Sequence, residues 1–185
     1  LAAAVIVRQL DSKITDPALR AKADQLWKHS AHVAALSQLI AKRISKVDPE
    51  TAMFAGIVHE VGGFYMLSRA SEFPGVLDGD ADEWIEYGEQ AIGRGVLRKL
   101  GVPAPVMEAI EAMWEGMRAL PPETLGDTLM LANDLAPLDS PLHVQAGATN
   151  RQSAATVDFV VGEGTLAEIL TEAKQEVDSL TAALF

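Results

Sequence analysis

The chain contains no cysteine among its 185 residues. That excludes disulfides, thiolate metal sites and thiol nucleophiles, and it fits a reducing compartment. Aromatic residues make up only 5%. Basic residues are also scarce: 15 Lys and Arg stand against 26 Asp and Glu, for a formal net charge of −11. A surface this acidic repels phosphate backbones and anionic lipids, so neither nucleic acid nor a membrane is expected as a partner. No apolar run approaches the roughly 18 residues that span a bilayer. The start, Leu1-Ala-Ala-Ala-Val-Ile-Val7, lacks the charged region of a signal peptide and reads as a cut into or just before a buried helix. The chain is thus expected to be part of a larger, cytoplasmic protein.

What is abundant is apolar and small. With 49% hydrophobic residues, a core large enough for one domain forms without cross-links. Helix signals dominate. Asp16-Pro17 supplies an N-cap followed by proline at the first helical position. An apolar stripe through Leu26, Val33, Leu36 and Ile40 then predicts one long helix over 17–46. Asp48-Pro49 repeats the signal and opens a helix to about Val61. Gly62-Gly63 is expected to break or kink it, with a further turn or two over Phe64–Arg69. Glu72–Gly79 reads as a loop, and 81–99 as helix with an interruption at Gly88. Gly101 is a stop and Pro103 a start, with helix to about Met117. Pro121-Pro122 punctuates a helix over 123–136, and Asp139–Pro141 is a turn followed by a short helix. Ala155–Val161 is either a strand or part of a loop. Thr165-Leu-Ala-Glu168 matches a capping box that opens a last helix to about Ala183. Without any βαβ alternation, the fold class is all-α, a single multi-helix bundle.

Against this background four polar residues stand out: His29 in Leu-Trp-Lys-His-Ser, His59-Glu60 in Gly-Ile-Val-His-Glu-Val-Gly, and Asp134 in Ala-Asn-Asp-Leu-Ala. Consecutive helical residues point about 100° apart, so His59 and Glu60 can straddle one point between helices. Imidazole and carboxylate together suit one Zn, Mn or Fe ion. The bland reading, four polar residues that bond locally or face solvent, is favoured by spacing alone. His32, one turn from His29, and His143 are weaker candidates. Arg94 and Arg98, at i and i+4, could contact a phosphate, although such pairs usually face water. Gly56 and Gly62 most simply allow close helix approach. Trp27 and Trp114 could pack near the site, and Trp84 and Tyr87 could mark a binding face.

Read together, Leu-Trp-Lys-His29-Ser-Ala-His-Val-Ala, Ala-Gly-Ile-Val-His59-Glu60-Val-Gly, Glu86-Tyr-Gly88-Glu89-Gln-Ala-Ile-Gly93 and Leu100-Gly-Val-Pro103 resemble the HDOD domain. HDOD domains are signalling relatives of the HD superfamily of metal-dependent phosphohydrolases, which includes the HD-GYP cyclic-di-GMP phosphodiesterases. The resemblance spans roughly 20–136. It implies an HD-type bundle over 16–185, with 1–15 as the end of a preceding helical half. It also implies that the superfamily's metal positions fall on His29, His59, Glu60 and Asp134, with Glu60 in place of the pair's aspartate. HD-GYP enzymes carry a lysine where this chain has Gly63, a histidine at Glu89, and two adjacent histidines at Met113-Trp114. Those losses imply at most one divalent ion, and no ion as the first expectation.

Three functions follow from this reading. The first is a non-catalytic regulatory module that contacts other signalling proteins or domains across a degenerate metal site. The second is a mononuclear metal-dependent phosphohydrolase acting on a nucleotide or other phosphoester; a Glu60 turned away from His29 would argue against it. The third is a nucleotide sensor that uses Arg94 and Arg98 for phosphate.

Overall fold

Each Asp-Pro pair starts a helix as its chemistry dictates. In a computed structural model describing residues 14–78, 83–116, 119–142 and 164–184, the Asp16 carboxylate accepts from the N–H groups of Ala18 and Leu19 at 2.8 and 3.0 Å. Helix α1 (Pro17–Ile40) follows. It continues as a wider π-helical turn, Ala41–Ser45, that ends at Lys46 in the left-handed region with φ of 59°. Asp48 caps α2 (Pro49–Val58) in the same way, accepting from the Thr51 N–H at 2.7 Å and from its hydroxyl at 2.6 Å. Those contacts, the hydroxyl first, hold the Asp48 carboxyl below the ordinary aspartate range.

Helix α3 is Val61–Arg69. The expected break at Gly62-Gly63 falls instead at His59-Glu60, where Glu60 leaves helical geometry with φ −108° and ψ 24°. Both glycines lie inside α3 because Gly62 is pressed against Gly93: a Cβ on Gly62 would sit 2.7 Å from the Gly93 Cα. The interruption expected at Gly88 is not found: Gly88 lies inside one continuous π-helical element, and the helix type changes six residues later, at Arg94. Element α4 (Trp84–Gly93) is π-helical and passes into a regular turn and a half, α5 (Arg94–Lys99). Gly101 stops it with φ of 69°. Helix α6 (Ala104–Glu115) ends earlier than the expected Met117, because Gly116 takes the left-handed cap with φ of 73°.

Helix α7 (Leu125–Leu135) starts with a capping box that the sequence reading did not single out, between Thr124 and Asp127. The box expected at Thr165 is not the arrangement found. Thr165 is the first residue of α8 (Thr165–Leu184) rather than its cap, and Glu168 reaches Arg43. Every element of the described residues is helical, so the fold is the all-α bundle expected. Residues 1–13 and 155–161, the helix expected after Pro141 and His143 lie outside the described residues.

Helix α1 runs through the middle. Its Val33, Leu36, Leu39 and Ile40 join Val58 and Val61, Ile110, Leu129 and Leu131, and Ile169 in one main core. A smaller cluster at its other end gathers Leu26, Trp27, Phe64 and Leu67. Helix α1 antiparallels α2: Gln38 donates to Glu50 at 3.0 Å, while Gly56 packs on Ala34. Helix α8 buries Leu166, Ile169, Ala173 and Val177, one face of a 3.6-residue repeat. Arg43 also pairs with Glu168 and Glu172 on that helix. The apolar face is the stronger hold. Glu168 is 71% exposed, and such pairs contribute about 1 kcal/mol or less. Arg43→Ala should therefore lower stability in urea by under about 1 kcal/mol. Ile169→Ala, which empties a fully buried site, should cost about 2–3 kcal/mol.

Candidate functional site

Between the two cores, α1 presents His29 at the interior, 3% exposed. Its Nδ1 lies 2.7 Å from the carbonyl oxygen of Leu138, in the turn after α7. A carbonyl can only accept, so Nδ1 carries the hydrogen, which leaves Nε2 as the ring nitrogen that can serve as a ligand atom. That Nε2 is buried with no hydrogen-bond partner in the protein. His59 closes α2 and is 4% exposed, with Nδ1 2.7 Å from the carbonyl of Gly56, three residues back. The same logic places the Nδ1 hydrogen of His59 on the Gly56 carbonyl. The two rings lie 5.4 Å apart between centroids.

Glu60 is 7% exposed and precedes α3. Its non-helical backbone matters here: the break between α2 and α3 allows consecutive residues to meet the same partner. One ligand atom from each of His29, His59 and Glu60 lies within 4.8 Å of the other two. Glu60 is therefore not turned away from His29. Asp134 lies half-buried on α7 and is not one of the three.

The other sequence candidates are spread out. Arg94 donates from Nε to Glu111 on α6 at 2.6 Å, and its guanidinium lies 5.5 Å from the Trp114 ring centroid. Its charge is thus balanced within the fold. Arg98 is exposed on the last turn of α5. His32 is half-buried and returns its Nδ1 to the Lys28 carbonyl at 2.7 Å. Trp27 packs against Phe64 with centroids 6.4 Å apart, and Trp114 lies 3.6 Å from the space above Gly93. Both are core contacts. Tyr87 is 58% exposed. The side chain of Trp84 lies outside the described residues.

Two nitrogen donors and one carboxylate are a donor set that suits a single Zn, Mn or Fe ion. The orphaned Nε2 of His29 fits that role, and each ring is held from behind by a backbone carbonyl at Nδ1, the kind of contact that orients metal-binding histidines. Sequence reading missed these two carbonyls, since every residue has one and no side-chain signal marks Leu138.

Residues 1–115 match the model of the HDOD domain. The chain belongs to the HDOD family. The match takes in His29, His59, Glu60, Arg94 and Arg98, while Asp134 lies beyond it. No curated protein and no solved structure matched the chain. No helix of the described residues is long and apolar enough to cross a membrane.

Proposed function

We propose that this HDOD chain is a non-catalytic regulatory module of signal transduction in the cytoplasm, working through contacts with other signalling proteins or domains. In this reading His29, His59 and Glu60 are the remnant of a phosphohydrolase metal site. The observation that carries it is burial: all three side chains are less than 8% exposed, and the Leu138 carbonyl is bonded to the back of His29. A phosphoester needs a path to the ligand atoms and a cation to balance its charge. Of the two arginine candidates, Arg94 is already paired with Glu111. The same pairing weighs against the nucleotide-sensor reading. The net charge of −11 adds no steering for an anionic substrate.

A second reading has its own support. The convergence of three ligand atoms within 4.8 Å, with a backbone carbonyl at Nδ1 of both imidazoles, is what a mononuclear phosphohydrolase would require. His29, His59 and Glu60 would hold the ion, with Asp134 the candidate fourth ligand. When bound, such an ion polarises a phosphoryl oxygen and acidifies water.

The test is hydrolysis of a generic phosphodiester and of a cyclic dinucleotide. It uses chain purified without chelator, its metal content measured by mass spectrometry, then supplied with Mn, Zn or Fe. The expected result is no turnover above that of His59→Ala. Turnover that disappears in His59→Ala, with a stoichiometric ion that disappears too, establishes the hydrolase instead.

A further inference from the structure

Gln25 and His29 stand one turn apart on α1, so their side chains leave the same face of the helix. Each reaches a backbone carbonyl of the turn that follows α7. Gln25 Nε2 donates to Asp139 at 3.3 Å, and His29 Nδ1 to Leu138 at 2.7 Å. The turn is packed at its ends and bare in its middle. Leu135 and Ala136 belong to the main core, Ser140 is buried, and Leu142 packs against the smaller core. Between them Pro137, Leu138 and Asp139 are exposed, Leu138 at 38%, and take up no helix. A segment with few buried side chains, tied down by side-chain hydrogen bonds, opens locally far more readily than the packed helices beside it. Gln25 is exposed and forms the outer tie; His29, 3% exposed, forms the inner one.

We propose that Ala136–Ser140 is a strap that opens while the bundle stays folded, and that Gln25 is the latch that keeps it shut. Closed, the Leu138 carbonyl fixes the His29 ring in the setting where the three candidate ligand atoms lie within 4.8 Å of one another. Open, Nδ1 loses its partner, the ring is free to turn, and small solutes reach it. A cluster whose side chains are all under 8% exposed exchanges an ion or a reagent with water only through such an opening. Gln25 is thus a positioning residue, acting on His29 through the strap. The inference rests on the geometry around His29 and holds for either reading of the cluster's function.

The experiment is carbethoxylation of the full chain by diethyl pyrocarbonate, with EDTA present so that no ion competes for the rings. The rate at each histidine is read by peptide mass spectrometry. Buried His29 should react more slowly than half-buried His32 on the same helix. Gln25→Ala should speed the reaction of His29 by about threefold to tenfold, as the loss of one hydrogen bond implies, and leave His32 unchanged. Gln25→Lys keeps a donor for the Asp139 carbonyl and should retain the wild-type rate. Gln25→Glu keeps the length without the donor and should match alanine. Ile169→Ala weakens the whole bundle and should leave the His29 rate as it is, because the opening is local. The proposal is overturned if Gln25→Ala leaves His29 unchanged, or if the glutamate variant retains the wild-type rate. It is equally overturned if Ile169→Ala speeds His29, which would make global unfolding the route to the ring.

Discussion

Gly56→Ala should leave the chain barely folded, with a loss of more than about 4 kcal/mol, in the range reserved for severe core disruption. Alanine is the better helix former by about 1 kcal/mol, so intrinsic propensity predicts a gain. Packing reverses the sign. A Cβ on Gly56 would lie 2.5 Å from the Ala34 Cα and 2.7 Å from its nitrogen. Both atoms are main chain and cannot rotate aside, so α1 and α2 must separate by about 1 Å to restore van der Waals distance. That opens an interface built from small residues, including Ala31, Ala35, Ala52 and Ala55, each at most 2% exposed. Overpacking usually costs about 1–3 kcal/mol, and a backbone obstacle places this site above that range. His59 lies three residues beyond Gly56 and bonds to its carbonyl, so the same displacement would pull His59 from His29. Gly95→Ala is the control, with nothing within 4 Å of the added Cβ. It should raise stability by about 0.5–1 kcal/mol. Urea titrations of both variants decide the matter: a Gly56→Ala chain as stable as wild type would mean that α1 and α2 are not in backbone contact.

The glycines also show how much of the fold could be read beforehand. That Gly56 and Gly62 permit close helix approach was legible, because small residues in an apolar helix have few other uses. That Gly62-Gly63 would break the helix was not correct. Two adjacent glycines cost roughly 2 kcal/mol of helix propensity, and it is tertiary packing, with the contact of Gly62 on Gly93 thirty-one residues away and the buried Phe64 and Leu67, that offsets it. The Asp-Pro starts were fully legible, since an N-cap is a local device. The π-helical segments Ala41–Ser45 and Trp84–Gly93 were not, since they leave no periodic mark in the sequence.

The candidate site divides in the same way. His29, His59 and Glu60 were legible by residue type and by the HDOD resemblance, which the family match shows. The tautomers were not, because they depend on backbone carbonyls delivered by the fold. The role offered to Arg94 was equally out of reach. Its partner Glu111 sits on another helix, and no local pattern distinguishes an arginine facing water from one facing a carboxylate across a helix pair.

Asp127→Ala should cost about 3–4 kcal/mol near neutral pH, the second largest loss expected, built from a helix cap and several charge-assisted hydrogen bonds. The carboxylate accepts from the N–H groups of Ala119, Glu123 and Thr124 at 2.9, 3.2 and 2.9 Å, and from the Thr124 hydroxyl at 2.7 Å. It thereby ties the segment before α7 to the helix start, where Thr124 returns the bond to the Asp127 N–H. Burial works against its charge and is the largest single influence. The Thr124 hydroxyl and the three N–H donors together outweigh it, so the carboxyl titrates below the ordinary aspartate range. The pH dependence follows from that direction. An unfolded aspartate takes up its proton near pH 4, whereas the folded one resists until the pH is lower. The stabilisation is therefore complete above about pH 4 and declines as the pH falls through the folded value. Asp127→Asn removes the charge but keeps one accepting oxygen, so it should lose about half as much as the alanine variant. Its deficit relative to wild type should be constant from about pH 5 to 8 and shrink below about pH 4. Thermal unfolding across that range checks this directly. A deficit independent of pH down to pH 3 would mean that the four contacts act through geometry rather than through the carboxylate's charge.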